Sequence, residues 1–134
     1  MIEEEFVPYD IAMSLKELGF DEPCIGLYRY QGGEHEFAHV SKSGKMTFLR
    51  NSDESMRIVS PLYQQVFKWF RKNHDLFSSI LVTGDCGYCY YIHTDSMRDK
   101  VATSKGFDPD GINDPYDKCR DACIRELINI VKKK

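Results

Sequence analysis

The segment from Ser60 to Lys72 constrains the fold more than any other part of the chain. Ser60 suits an N-cap, and Pro61 suits the first helical position, where its missing N–H costs nothing. Leu62, Val66, Trp69 and Phe70 then recur on one helical face, with Tyr63 and Phe67 widening the stripe. Gln64, Gln65, Lys68, Arg71 and Lys72 occupy the other side. A stripe that carries the chain's single tryptophan must be buried against other elements, so this helix belongs to the centre of a core.

Two further helices flank it in sequence. The first is expected from Pro8 to Leu18, with Ile11, Leu15 and Leu18 on one face. Gly19 can take the left-handed position beyond its end, with Phe20 folding back over the last turn and Pro23 preventing continuation. The last is expected to start at Asp114 as N-cap and Pro115, and to end in Lys132-Lys133-Lys134. Acids then sit at the positive end of its dipole and bases at the negative end. Cys119, Cys123, Leu127 and Ile130 line one face, extended by Ile124, Ile128 and Val131.

Between the helices the periodicity falls to two. Cys24–Tyr30, Glu36–Val40 and Met46–Arg50 read as strands joined by turns at Gln31-Gly32-Gly33 and Ser41–Gly44. Connections so short imply an antiparallel meander. Ser79–Thr83 and Tyr88–Thr94 flank Gly84-Asp85-Cys86-Gly87 and read as a hairpin. The stretch Asp95–Asn113 is polar and irregular, with room for a helical turn or two over Ser96–Ser104. The expected fold is α+β in the order α-β-β-β-α-β-β-α, one antiparallel sheet packed against the central and last helices. A length of 134 residues without a linker or repeat fits one domain over residues 1–134.

Bulk chemistry narrows the function classes. Eighteen basic against 21 acidic side chains leave a net charge of −3, which argues against a dedicated duplex-DNA binder. No apolar run has the roughly 18 residues of a spanning helix. The acidic start, Met1–Glu5, is unlike a secretory signal, so a cytoplasmic location is expected. Five cysteines, Cys24, Cys86, Cys89, Cys119 and Cys123, fit reduced thiols there better than a disulfide framework.

The segment Leu15-Lys16-Glu17-Leu18-Gly19-Phe20-Asp21-Glu22-Pro23-Cys24 resembles the opening of small uncharacterised proteins of Bacteroides-type gut bacteria and their phages or prophages. Pro61-Leu62-Tyr63-Gln64-Gln65 with Trp69-Phe70, and Ala122-Cys123-Ile124 through Ile130-Val131-Lys132, resemble later segments of the same group. The resemblance implies a bacterial, often mobile-element-borne setting. It implies no activity, cofactor or catalytic residue.

Candidate chemistry competes in each case with an ordinary structural role. Cys86-x-x-Cys89 with Cys119-x-x-x-Cys123 could supply four thiolates to zinc. Cys119 and Cys123 fall on the apolar helix face, however, where a thiol acts as a small hydrophobe, and core filling is the preferred reading. A redox pair at Cys86/Cys89 lacks the helix N-terminus that lowers a thiol pKa, and Asp85 beside it would raise it. Cys24 with His35, His39 or His93 makes conceivable nucleophile–base pairs, but no protease or nucleophile-elbow pattern surrounds them. His35 and His39 share a strand face with Phe37, near Glu34 and Glu36, and could place a metal pair or a general base, but two histidines on a half-exposed strand are more often ordinary surface residues. Asp108–Asp114 fails as a calcium loop, since Gly111 stands fourth and Cys119 twelfth.

The remaining signal is aromatic. Tyr28, Tyr30, Tyr88, Tyr90 and Tyr91 sit on strands, where rings either cover a core or anchor a partner with large area at low entropy cost. The expectation is a non-enzymatic accessory or interaction protein that binds a protein partner through this surface, without cofactor or membrane. Two alternatives are a zinc-stabilised module using Cys86, Cys89, Cys119 and Cys123, and a single-strand nucleic-acid binder stacking bases on the sheet tyrosines, with Arg29, Lys42, Lys45, Arg50 and Arg57 adding positive charge.

Overall fold

The computed structural model describes residues 2–31, 33–39, 49–53, 57–82, 87–94, 100–103 and 115–133. Among the described residues, three α-helices and six strands follow in the order α1 (Tyr9–Glu17), β1 (Gly26–Gln31), β2 (Glu34–His39), β3 (Arg57–Ser60), α2 (Tyr63–His74), β4 (Phe77–Val82), β5 (Tyr88–His93), β6 (Lys100–Thr103) and α3 (Pro115–Lys132). The class is α+β, as the periodicities require. The strands form two antiparallel three-stranded sheets rather than one, ordered β2-β1-β3 and β4-β5-β6. The residues, read in sequence as one domain, fall into two compact units, Met1–Val66 and Phe67–Lys134.

In the first unit, α1 ends as its glycine demands. Gly19 is left-handed (φ 95°). Its N–H bonds the Lys16 carbonyl at 3.1 Å, while the Phe20 N–H bonds that of Leu15 at 2.9 Å, a Schellman pair that folds buried Phe20 back. Ile11, Ala12 and Leu15 are buried on the face that packs on β3. The Lys16 ammonium also donates to the Arg57 carbonyl at 3.1 Å.

The third strand departs from expectation. Residues 46–48 lie outside the described residues, while Leu49 makes a single bridge to Cys24 and Arg50 is not in a strand. The strand that completes the sheet is Arg57–Ser60, and it pairs with β1, Leu27 opposite Val59 and Tyr28 opposite Ile58. The sheet is therefore not a meander. The chain between β2 and β3 is long enough to reach the far side of β1, which the turn-length argument did not allow for. Ile58, Val59 and Ser60 are all buried, so β3 is covered on both faces and lacks the alternation that marks a half-exposed strand.

Two buried polar side chains tie this unit together. The Asn51 amide donates to the Phe20 carbonyl at 2.8 Å, and its oxygen accepts the Val59 N–H at 3.0 Å. Ser60 does not cap α2: its hydroxyl donates to the Val7 carbonyl at 2.8 Å. The helix starts two residues beyond Pro61, and Gln65 caps it by reaching back to the Leu62 N–H at 3.1 Å, half of a capping box.

In the second unit the tail of α2 carries Trp69 and Phe70, both buried, with rings 5.1 Å apart. Asp75 ends the helix in the left-handed region (φ 54°), tolerated by a short polar side chain. The β4–β5 pair matches the expected hairpin, Phe77 opposite His93 and Val82 opposite Tyr88; its turn, residues 83–86, lies outside the described residues. The polar stretch holds a third strand, Lys100–Thr103, where a helical turn had been expected. It joins β5 across an irregularity at Ile92/His93. The rest of Asp95–Asp114, including the Asp108–Asp114 loop and the Asp114 cap, lies outside the described residues. Helix α3 packs on β5 and β4 through Cys119, Cys123, Ile124, Leu127 and Ile128, all buried.

Removing the Asn51 amide strands a carbonyl and an N–H in the interior, where an unmet polar group costs about 1–3 kcal/mol. Asn51→Ala is expected to lower unfolding stability by about 2–3 kcal/mol in urea denaturation. A loss below about 0.5 kcal/mol would show that water replaces the amide.

Candidate functional site

The five tyrosines divide between the two sheets. Tyr28 and Tyr30 stand on β1, and Tyr88, Tyr90 and Tyr91 on β5. On β5 the pleat separates them: Tyr88 and Tyr90 share the face of Ile92, and Tyr91 turns to the other. Tyr90 is only 8 % exposed and belongs to the core. Burial, then Glu126, raises its phenol pKa. Tyr88 is half-buried, with its ring set edge-on to Tyr116 of α3 at 5.4 Å. Arg120 lies over that Tyr116 ring at 5.6 Å and pairs with Asp117 at 3.2 Å. Stacking of successive bases needs a row of open ring faces. Tyr90 does not offer one.

The tyrosines of β1 meet different neighbours. Tyr28 is half-buried and donates its hydroxyl to the Val7 carbonyl at 3.1 Å. Its ring is flanked by Phe37 of β2 at 5.6 Å and by Tyr9 of α1 at 5.5 Å, both edge-on. Phe6 packs on Phe37 at 5.1 Å. Tyr9 then stacks on the His35 ring, centroids 4.2 Å apart and planes 26° from parallel. The Tyr9 hydroxyl and His35 Nε2 lie 3.2 Å apart, in hydrogen-bond contact. Tyr30, directly across from His35 in the ladder, meets that imidazole edge-on at 5.3 Å.

The result is a connected series of rings that rises from buried Phe6 through half-buried Phe37, Tyr28 and Tyr9 to exposed His35 and Tyr30. Tyr30 is 58 % exposed. An exposed ring held by neighbours loses little rotamer freedom on binding, which is what an anchor residue needs. Sequence reading singled out Tyr30 and Tyr28 but weighed His35 only as a metal or base candidate, and passed over Tyr9. The signal for Tyr9 was its place one residue after Pro8, at the start of a helix with one buried face.

Of the cysteine and histidine candidates, Cys89 lies close enough to Cys119, and Cys119 to Cys123, to interact electrostatically, whereas Cys24 and His35 lie apart. Cys24 is buried beside the Glu22 carbonyl, which accepts its Sγ–H at 3.4 Å, and next to Gln65. It precedes β1, whereas His35 faces Tyr30 near the strand's other end, so the two form no nucleophile–base pair. Cys119 and Cys123 are sunk in the α3–sheet core, as the apolar periodicity implied; Cys89 is half-buried on β5, and Cys86 lies outside the described residues. Burial pushes the Cys24 and Cys123 thiols up to about 12 and that of Cys119 up to about 11. This is the opposite of what a nucleophile needs. Among the described residues no group of three His, Cys, Asp or Glu is placed to hold a metal ion. The His39 side chain and the residues around Lys42 and Lys45 are likewise outside the described set.

Another exposed apolar surface lies in the second unit, where Leu81 (47 % exposed) and Val82 (70 % exposed) end β4. Among the described residues no helix is long and apolar enough to cross a membrane. No family model, curated protein or solved structure matches the chain.

The thiols make a pH prediction. Cys24, Cys119 and Cys123 stay protonated in the folded chain well above their ordinary value of 9.0. Their contribution to stability is complete below pH 9 and is lost as pH rises toward 11–12, because the unfolded chain ionises first. Urea midpoints are expected to fall from pH 8 to pH 10, with a shallower fall in Cys123→Ala. In native protein at pH 8 these three thiols should resist a thiol reagent and react on unfolding; fast reaction of Cys119 or Cys123 would contradict the burial.

Proposed function

We propose that this protein is a non-enzymatic interaction protein that binds a protein partner through the aromatic surface at the β1–β2 hairpin. One observation carries the reading: Tyr30, 58 % exposed, is held edge-on by an imidazole that is itself stacked on and hydrogen-bonded to Tyr9. Rings that cover a core do so by being buried, as Tyr90 is. A large ring fixed in solvent has no such role in stability, and tyrosines of this kind dominate the energetics of protein interfaces. Burial of Cys24, Cys119 and Cys123 supports the non-catalytic side of the reading. The setting, an accessory protein in the cytoplasm of a bacterium or in its phage, rests on the sequence resemblance and on free thiols that fit a reducing compartment.

The test is capture from a lysate of the native cell or infected host with three immobilised forms: unaltered protein, Tyr30→Ala and Tyr91→Ala. The unaltered protein and Tyr91→Ala are expected to retain a specific protein that Tyr30→Ala loses. Tyr30→Ala should keep its stability within about 0.5 kcal/mol, as exposed substitutions do. Retention of the same protein by Tyr30→Ala would rule the hairpin out as the contact surface.

A further inference from the structure

We infer that the outer edge of β2 receives an extended, Arg/Lys-bearing segment of the partner as an added strand. This rests on the hairpin reading above for the partner's being a protein, and it assigns the chemistry of the segment that docks. In the order β2-β1-β3, β2 is an edge strand, and among the described residues it pairs with β1 alone. Its sequence, Glu34-His35-Glu36-Phe37-Ala38-His39, alternates acid with ring over the first four positions. Glu34, His35 and Glu36 are exposed. An exposed strand edge recognises a partner through main-chain hydrogen bonds, and its alternate side chains select the sequence.

The inner side of β2 already displays the selection rule. Across from Glu36 stands Arg29, across from His35 stands Tyr30, and across from Phe37 stands Tyr28. Opposite charges and aromatic pairs are the favourable cross-strand combinations, and a strand on the outer side meets the same two faces. It therefore needs bases opposite Glu34 and Glu36, and aromatic or β-branched residues opposite His35 and Phe37. The wider field agrees: residues 1–66 contain eleven Asp and Glu against six Lys and Arg, a net −5, which steers a cationic segment toward this unit.

The same charges disfavour a second copy of this chain. Antiparallel pairing of β2 with itself places Glu opposite Glu in the registers that set Glu34 against Glu36 or Glu36 against its own copy. The full six-residue overlap sets Glu34 against His39 and Glu36 against Phe37. Charged residues on an edge strand are a known guard against self-pairing. A basic strand is the one occupant for which they become attractive.

The experiment uses full-length labelled protein and two end-capped eight-residue peptides, one alternating Arg with Val and the other Glu with Val. Binding is followed by amide shifts, amide exchange and titration at low and high salt. The Arg peptide is expected to slow exchange along β2 and to weaken with salt. It should bind about tenfold or more weakly to Glu34→Lys/Glu36→Lys, two exposed positions whose exchange is not expected to unfold the unit. Equal binding of the Glu peptide, protection confined to another strand, or no binding at millimolar peptide would overturn the inference. So would a concentration-dependent dimer that Glu34→Lys/Glu36→Lys abolishes, since the occupant would then be a second copy. The lysate capture separates the two readings. If Glu34→Lys/Glu36→Lys keeps the partner that Tyr30→Ala loses, the added strand is refuted and the hairpin surface stands; if both variants keep it, both readings fall.

Discussion

The backbone of Val7 is the point on which the first unit depends. Its carbonyl accepts both the Ser60 hydroxyl and the Tyr28 hydroxyl, at 2.8 and 3.1 Å, and its N–H donates to the Pro61 carbonyl at 3.0 Å. Three contacts from one residue fix the N-terminal segment to β1 and to the end of β3. They also bring Phe6 against Gly26, where a Cβ would come within 2.6 Å of the Phe6 ring and 2.7 Å of the Ser60 carbonyl. Only glycine admits that approach. With Phe6 and Val7 seated, α1 starts where Tyr9 can reach Tyr28 and His35, so the exposed rings inherit their order from a buried backbone clasp.

The second unit shows the opposite use of the same residue types. There the thiols and Tyr90 turn inward, onto α3, where the Tyr90 carbonyl accepts the Thr103 hydroxyl at 3.2 Å and Ser78 lies beside Cys123. A cysteine at successive turns of a helix gives small, shape-tolerant packing against a sheet, and desolvation then keeps it protonated and inert. Chemical inertness and packing are here one property.

Much of this could be read from the sequence, and the failures have physical causes. The helices were legible because their apolar stripes, Pro8, Gly19 and Pro115 are local signals, and Gly19 performs the role assigned to it at φ 95°. Pro61 misled by two residues, because Ser60 spends its hydroxyl on a residue 53 positions away instead of capping. Strand β3 was missed because burial on both faces erases the alternation by which strands are recognised, and β6 because its four residues carry too short a pattern. For the site, period-two spacing put His35 on one strand face with Phe37 and placed all five tyrosines on strands. It could not say which tyrosines face solvent, nor that Tyr9 stacks on a histidine 26 residues on, since both depend on the Val7 clasp.

The central claim is that the ordered rings of the hairpin, and not the apolar end of β4, form the contact surface. Site-specific photo-crosslinking tests it most directly, with a benzophenone amino acid placed in turn at Tyr30 and at Val82, the two most exposed large apolar positions among the described residues. Irradiation in the native cell is expected to give one discrete protein adduct from position 30 and none from position 82. An adduct from position 82 with none from position 30 would contradict the account.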